Sequence, residues 1–202
     1  MSSVEGSLPA GSYFNRKMTG DEALLSLLRL FAELKIPHML VGSYSTNFYG
    51  IPRATKDADL VLQVESQKLA TLFRKLPPGI RMDEQSFFEM VTATRKELLH
   101  VEGSSFQIEL FHLSDDEFDQ TRFEHRVAVD YHEGVSTYLP RVEDVIVQKL
   151  RWAEGGKRQK DFDDVVSVLK VHEPIDFSYI EAWCAKHNSL KFLAEAREAA
   201  GV

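Results

Sequence analysis

Residues 38–64 read HMLVGSYSTNFYGIPRATKDADLVLQV, and the fold is decided in this stretch. His38–Val41 is a short apolar run of the kind that forms a buried strand. It stops at Gly42-Ser43, where glycine lets the backbone turn sharply or approach a ligand closely. Tyr44–Tyr49 then starts a helix, which Gly50-Ile51-Pro52 ends. From Asp57 to Val64 the pattern alternates: Ala58, Leu60, Leu62 and Val64 face one way, and Asp57, Asp59, Val61 and Gln63 the other. The order is therefore strand, glycine corner, helix, strand, with two carboxylates on one face of the second strand.

The chain on either side supplies the material to pack this unit. Thr19-Gly20-Asp21-Glu22 has helix-start chemistry, and Leu24, Leu27, Leu28, Phe31 and Leu34 recur at helical spacing, which predicts an amphipathic helix over 21–35. A helix is expected over 66–76, closed by Pro77-Pro78-Gly79. Short strands are expected within 80–113, the clearest over 106–113, with a short helix over 115–125 and two strands, 127–130 and 135–139, about a turn at Glu133-Gly134. After Pro140 the pattern becomes helical, with helices expected over 143–153, 161–170, 177–187 and 189–199, and Glu154-Gly155-Gly156-Lys157 as the link between the first two. The predicted class is α/β (α+β): a small mixed sheet flanked by helices, with a C-terminal helical part. The expected division is a flexible lead-in over 1–20, an α/β core over 21–140 and a helical region over 141–202.

Composition narrows the function. A length of 202 residues, 44% hydrophobic and 27% charged, fits a globular chain with a real core. A net charge of −7 argues against broad binding to duplex DNA, which rewards basic surfaces. The single cysteine, Cys184, can form no internal disulfide and sits beside Trp183 as a small apolar residue. No apolar run approaches a membrane span, and the first twenty residues lack a hydrophobic signal core, so a cytoplasmic location is expected. The seven histidines show no zinc-ligand spacing, and no Ser/His/Asp elbow is recognisable. Phe87, Phe88, Phe106 and Phe111 read as core residues in preference to a base-stacking platform.

Three features carry chemistry. Gly42-Ser43 opens a helix, whose N-terminal N–H groups favour anions, and the serine hydroxyl adds a donor. Asp57 and Asp59 lie on one strand face, where their mutual repulsion calls for a positive partner; a divalent cation with its preference for oxygen is the natural one. Glu109, in Gln107-Ile108-Glu109-Leu110-Phe111, offers a third carboxylate from another strand. Each alone has a plainer explanation: a simple turn, a solvated strand end, an outward-facing glutamate.

Together, in this order and with residues 44–56 between Ser43 and Asp57, they resemble the nucleotidyltransferase superfamily of the DNA polymerase β-like fold. That superfamily also includes the aminoglycoside nucleotidyltransferases and the AbiEii-type toxins. Tyr49-Gly50-Ile51-Pro52-Arg53-Ala54-Thr55-Lys56-Asp57 is similar to the AbiEii-type branch. So are Pro140–Leu150, with Glu143, Asp144, Gln148 and Lys149, and the later Arg158-Gln159-Lys160-Asp161-Phe162-Asp163-Asp164. The resemblance covers roughly residues 22–170. It implies transfer of a nucleotidyl group from a nucleoside triphosphate to a hydroxyl on RNA, protein or a small molecule, with Mg²⁺ or Mn²⁺. It further implies a possible toxin–antitoxin role with an antitoxin-like partner, or else a weakly active nucleotide-binding relative. Carried over, Asp57, Asp59 and Glu109 would be catalytic and hold metal. Gly42, Ser43, Arg53, Lys149 and Lys160 would contact phosphate, with Lys157 and Arg158 as further candidates. Asp161 and Asp164, one turn apart, either cap their helix or join the site. One departure is visible: the family usually has Asp where this chain has Glu109, and metal chemistry is sensitive to such a displacement.

Overall fold

The computed structural model of the chain describes residues 17–83, 87–89, 94–132, 134–156 and 159–202. Most of the expected lead-in, Lys157, Arg158 and the side chains of Phe87 and Phe88 lie outside the described residues.

Helix α1 (Gly20–Leu34) begins with a reciprocal cap: Glu22 N donates to Thr19 Oγ1 at 3.2 Å, and Thr19 N donates to Glu22 Oε2 at 2.8 Å. It ends at Lys35, whose φ of 51° leaves the helical region. The chain then enters β1 (His38–Val41), α2 (Gly42–Tyr49) and β2 (Asp57–Leu62). Next come α3 (Ser66–Arg74), β3 (Ile80–Met82), β4 (Phe87–Glu89), β5 (Thr94–Val101), β6 (Gln107–His112), α4 (Glu117–Glu124) and a hairpin of β7 (Val127–His132) and β8 (Val135–Leu139). Four helices follow: α5 (Val142–Gly156), α6 (Gln159–Val171), α7 (Phe177–Lys186) and α8 (Leu190–Ala200).

The main sheet is mixed, in the order β1-β2-β6-β5-β3, with β4 also paired to β5. β2 lies between β1, to which it is antiparallel, and β6, to which it is parallel. The strand period then sorts the side chains by face. Leu40, Ala58, Leu60, Leu62, Ile108 and Leu110 point into one core against Leu24, Leu27, Leu28 and Phe31 of α1. On the opposite face Met39, Val41 and Val61 pack with Phe123, and Phe111 lies against them. A further core joins Phe118 of α4 to Ile146, Leu150, Val168, Ile180, Cys184 and Leu193 of the C-terminal helices. Phe118 thus ties the helices to the segment before Pro140.

Two expectations need correction. Glu154-Gly155-Gly156 is no linker: α5 continues to Gly156, and the glycines lie in its last turn. Helix ends tolerate glycine far better than helix centres do. The second concerns 80–113, where the longest described strand is the eight-residue β5, whereas the clearest strand expected there lay over 106–113. The polar Arg95, Lys96 and Glu97 of β5 hide the strand period from a reading based on apolar residues. Phe106 and Phe111 pack against the cores as expected. Among the described residues no helix is long and apolar enough to cross a membrane.

Candidate active site

The site is assembled around the centre of β2. Register places Asp59 beside Val41 of β1 on one side and beside Glu109 of β6 on the other. Because paired residues share a face, Asp57, Asp59 and Glu109 all emerge on the same side of the sheet, over the corner where β1 becomes α2.

Gly42 at that corner has φ of 63°, the left-handed region that glycine adopts without strain. A Cβ at this position would lie 1.9 Å from Asp59 Oδ2. The carboxylate is therefore pressed against the glycine backbone, and the two motifs converge. Val41, the residue preceding α2, makes no side-chain cap, so no side chain of that residue answers the first N–H groups of the helix. Gly42→Ala is expected to lose about 1–2 kcal/mol of stability from backbone conformation alone and to push Asp59 out of place. Thermal melting and nucleotide binding measured together would check this, and unchanged values in both would contradict the packing.

The three carboxylates are in different states. Asp57 Oδ1 accepts from Thr55 Oγ1 at 2.6 Å. Glu109 Oε2 accepts from Lys96 Nζ at 2.7 Å, with both side chains about a quarter exposed. Among the described residues Asp59 has no such partner on its carboxylate; burial, then Glu109 and Asp57, push its carboxyl up to about 7 against the weaker pull of Lys149 and Lys96. Asp59 is thus the carboxylate whose charge is least compensated.

Next to Asp59 runs a buried chain of ion pairs. Arg53 Nη2 donates to Ser43 Oγ at 3.1 Å, while Arg53 Nε and Nη2 donate to Asp164 at 2.8 and 2.9 Å. Asn47 holds the Arg53 backbone from both sides, donating to its carbonyl at 2.7 Å and accepting from its N–H at 3.1 Å. Lys149 Nζ lies 2.8 Å from both Asp161 and Asp164. Burial alone would raise the Asp164 carboxyl, but Arg53 and Lys149 outweigh it and hold it below the ordinary range. Asp164 raises the Arg53 guanidinium in turn.

Several expected residues are therefore together: Gly42, Ser43, Arg53, Asp57, Asp59 and Glu109. Lys149 stands differently from the expectation of an open phosphate contact. It is only 5% exposed and is consumed by two carboxylates of α6, which packs on α5 through a shared apolar core. Asp161 and Asp164 are buried partners of Lys149 and not merely helix caps. Lys160 is exposed near the start of α6.

Sequence reading missed Lys96, which only the β5–β6 register brings beside Glu109, and the role of Asp164 in orienting Arg53. Gln148 stands in the sequence only as part of a motif, with no role assigned. This side chain is 5% exposed, and neither amide atom has a hydrogen-bond partner among the described residues. It borders a cavity of about 10 Å³ with Gly42, Lys149 and Trp152.

The donor chemistry suits a hard divalent cation: carboxylate oxygens on one face, one of them short of positive charge. Among the described residues, no three His, Cys, Asp or Glu side chains already form a metal-holding group.

No family model and no curated protein matches the chain by sequence. Solved structures do resemble it. The antibiotic-resistance factor ANT(2'')-Ia matches with a TM-score of 0.56 and 13% identity, over 88% of this chain and 96% of that one. An antigenic nucleotidyltransferase-like protein from Paracoccidioides brasiliensis matches at 0.55 and 17%, over 89% and 92%. JHP933 from Helicobacter pylori matches at 0.50 and 14%, over 90% and 78%. These likenesses span both the sheet and the C-terminal helices, and the chain has the nucleotidyltransferase fold.

Proposed function

We propose that the chain is a metal-dependent nucleotidyltransferase, which joins a nucleotidyl group from a nucleoside triphosphate to a hydroxyl acceptor. The observation that carries this reading is the contact of the Asp59 carboxylate with the Gly42 corner, with Asp57 and Glu109 on the same sheet face. ANT(2'')-Ia, which shares the fold, has been captured with adenylyl-2''-tobramycin, and that supports the reaction class.

In this reading Asp57, Asp59 and Glu109 would hold Mg²⁺ or Mn²⁺ through their carboxylate oxygens. The cation, when bound, neutralises phosphate charge and lowers the pKa of the acceptor hydroxyl. The protein's own groups do the rest. The start of α2 and the Ser43 hydroxyl receive the triphosphate tail, and Arg53, one-third exposed and fixed by Asp164, adds charge beside it. Lys160 stands as a further phosphate contact. The acceptor oxygen bonds to the α-phosphorus, the bond from that phosphorus to the β-phosphate bridging oxygen breaks, and pyrophosphate leaves. Glu109 takes the hydroxyl proton. Holding the reactants in line supplies much of the rate.

Residues 21–140 form the catalytic core in this proposal and residues 141–202 its helical part. The AbiEii-type motifs favour an intracellular toxin of a toxin–antitoxin pair, with RNA, a protein or a small molecule as acceptor. A second reading has one specific observation behind it: Lys96 neutralises Glu109. In that reading the chain binds nucleotide and turns it over slowly or not at all.

Incubation with labelled nucleoside triphosphates, Mg²⁺ and candidate acceptors decides between them. The expected result is labelling that Asp57→Ala abolishes. Labelling that survives Asp57→Ala would reject the assigned site. Metal-dependent nucleotide binding by calorimetry with no turnover, and activity gained in Glu109→Asp, would establish the second reading.

A further inference from the structure

At the opposite end of β1 from Gly42 lies a groove of about 630 Å³. Arg29 and Lys35 of the α1 end, Pro37, His38, Arg126 and Tyr138 contribute to its walls. No described lining residue is Asp or Glu, although the chain has 31 acidic residues against 24 Lys and Arg. A wall of this sign on an acidic chain is a local exception.

Arg126 is the residue that asks for a ligand. Its guanidinium carbon lies 4.1 Å from the Phe123 ring centroid and 4.9 Å from that of Tyr138. Its Nη1 donates to the Phe123 carbonyl, but its buried Nε has no hydrogen-bond partner among the described residues. No described carboxylate pairs with it. The other arginines that are partly or fully buried and described, namely Arg53, Arg122, Arg141, Arg151 and Arg197, each pair with Asp or Glu. Burial accordingly lowers the Arg126 pKa, with little to oppose it. A half-buried guanidinium held rigidly between two rings, without a counter-charge, is preorganised for an anion. The neighbouring Lys35, exposed on the same wall, adds a second cationic side chain, so the groove carries more charge than one carboxylate would balance. Tyr138, 37% exposed, offers a flat apolar surface beside these charges. The volume falls in the range of small-molecule sites, about 300–1,000 Å³.

We propose that this groove is a second ligand site, taking a phosphate monoester carried on a flat apolar group. It shares no residue with the Asp59 site, so it stands whether or not the nucleotidyl-transfer reading does.

The test is calorimetric titration of the full chain with phenyl phosphate in EDTA, with inorganic phosphate, phenol and benzoate as comparisons. Phenyl phosphate is expected to bind at least about tenfold more tightly than any of the three, the effect of one well-made charged contact. Arg126→Gln and Lys35→Gln should each weaken it by about tenfold on the same scale, while Asp59→Asn leaves it unchanged. Circular dichroism and melting identify any variant that fails to fold; should Arg126→Gln do so, Lys35→Gln decides. Three results would overturn the proposal. They are no binding of phenyl phosphate at millimolar concentration, equal binding of benzoate, and binding that both folded variants retain. Loss in Asp59→Asn would place the ligand in the other site and overturn it as well.

Discussion

Asp59→Asn is expected to abolish nucleotidyl transfer and at the same time to stabilise the metal-free protein at alkaline pH. The two effects have one cause. Asp59 is set against Gly42 with Glu109 and Asp57 nearby, and these surroundings push its carboxyl up to about 7. The folded chain therefore holds a proton that the unfolded chain releases near pH 4. A group raised in this way favours the native state fully below its unfolded value, and that contribution is lost as pH rises through about 7. Wild type in EDTA should lose stability between about pH 4 and pH 7 relative to Asp59→Asn. At pH 8 the variant should be the more stable by roughly 2–4 kcal/mol, the scale of such a pKa displacement. Added Mg²⁺ with nucleotide should raise the melting temperature of wild type at pH 8 and leave that of the variant unmoved. Transfer should fall on the order of 10³-fold or more, as when an electrostatic contact to a transition state is removed. Melting curves in EDTA at pH 5 and pH 8, with labelling assays beside them, measure all of this. Identical pH dependence in the two proteins would mean that Asp59 is not the strained carboxylate.

Lys149→Met is expected to be the most destabilising single change at the site, at about 3–5 kcal/mol, the range for breaking a buried ion pair from one side. Methionine fills much of the lysine volume, so the loss comes from charge. Asp161 and Asp164 would each lose their ion pair with Lys149, while Arg53 would still answer Asp164. Two recoveries follow. Lowering the pH from about 8 to about 5 should restore part of the stability, because stranded buried carboxylates have raised pKa values and take up protons as pH falls. Combining Lys149→Met with Asp161→Asn should restore part of it at pH 8, since one of the two carboxylates that lost Lys149 is then neutral. Urea denaturation midpoints for the single and double variants provide the numbers. A loss in Lys149→Met below about 1 kcal/mol, the range of an exposed ion pair, would show that the network adds little.

Both experiments address features with different degrees of visibility in the primary sequence. The glycine corner and the paired aspartates could be read directly because they depend on local geometry. The period of two over Asp57–Leu62 puts both carboxylates on one face whatever the neighbours are. The cap at Thr19 and the apolar stripe of α1 are local in the same sense. Arg53 was marked by its place in a motif, but its job follows from Asp164, which lies 111 residues away in the chain.

Local sequence sets the strand–corner–helix–strand unit, the amphipathic helix that covers it and the residue types offered at the site. The pairings between neighbouring groups come from long-range packing. The parallel register of β2 with β6 put Glu109 beside Asp59, the antiparallel register of β5 supplied Lys96, and the packing of α5 on α6 drew Lys149 away from the open surface. The physical reason is that periodicity sets which face a side chain takes. Which opposite charge it meets depends on strand register and helix docking, and those are set by the burial of apolar residues elsewhere in the chain.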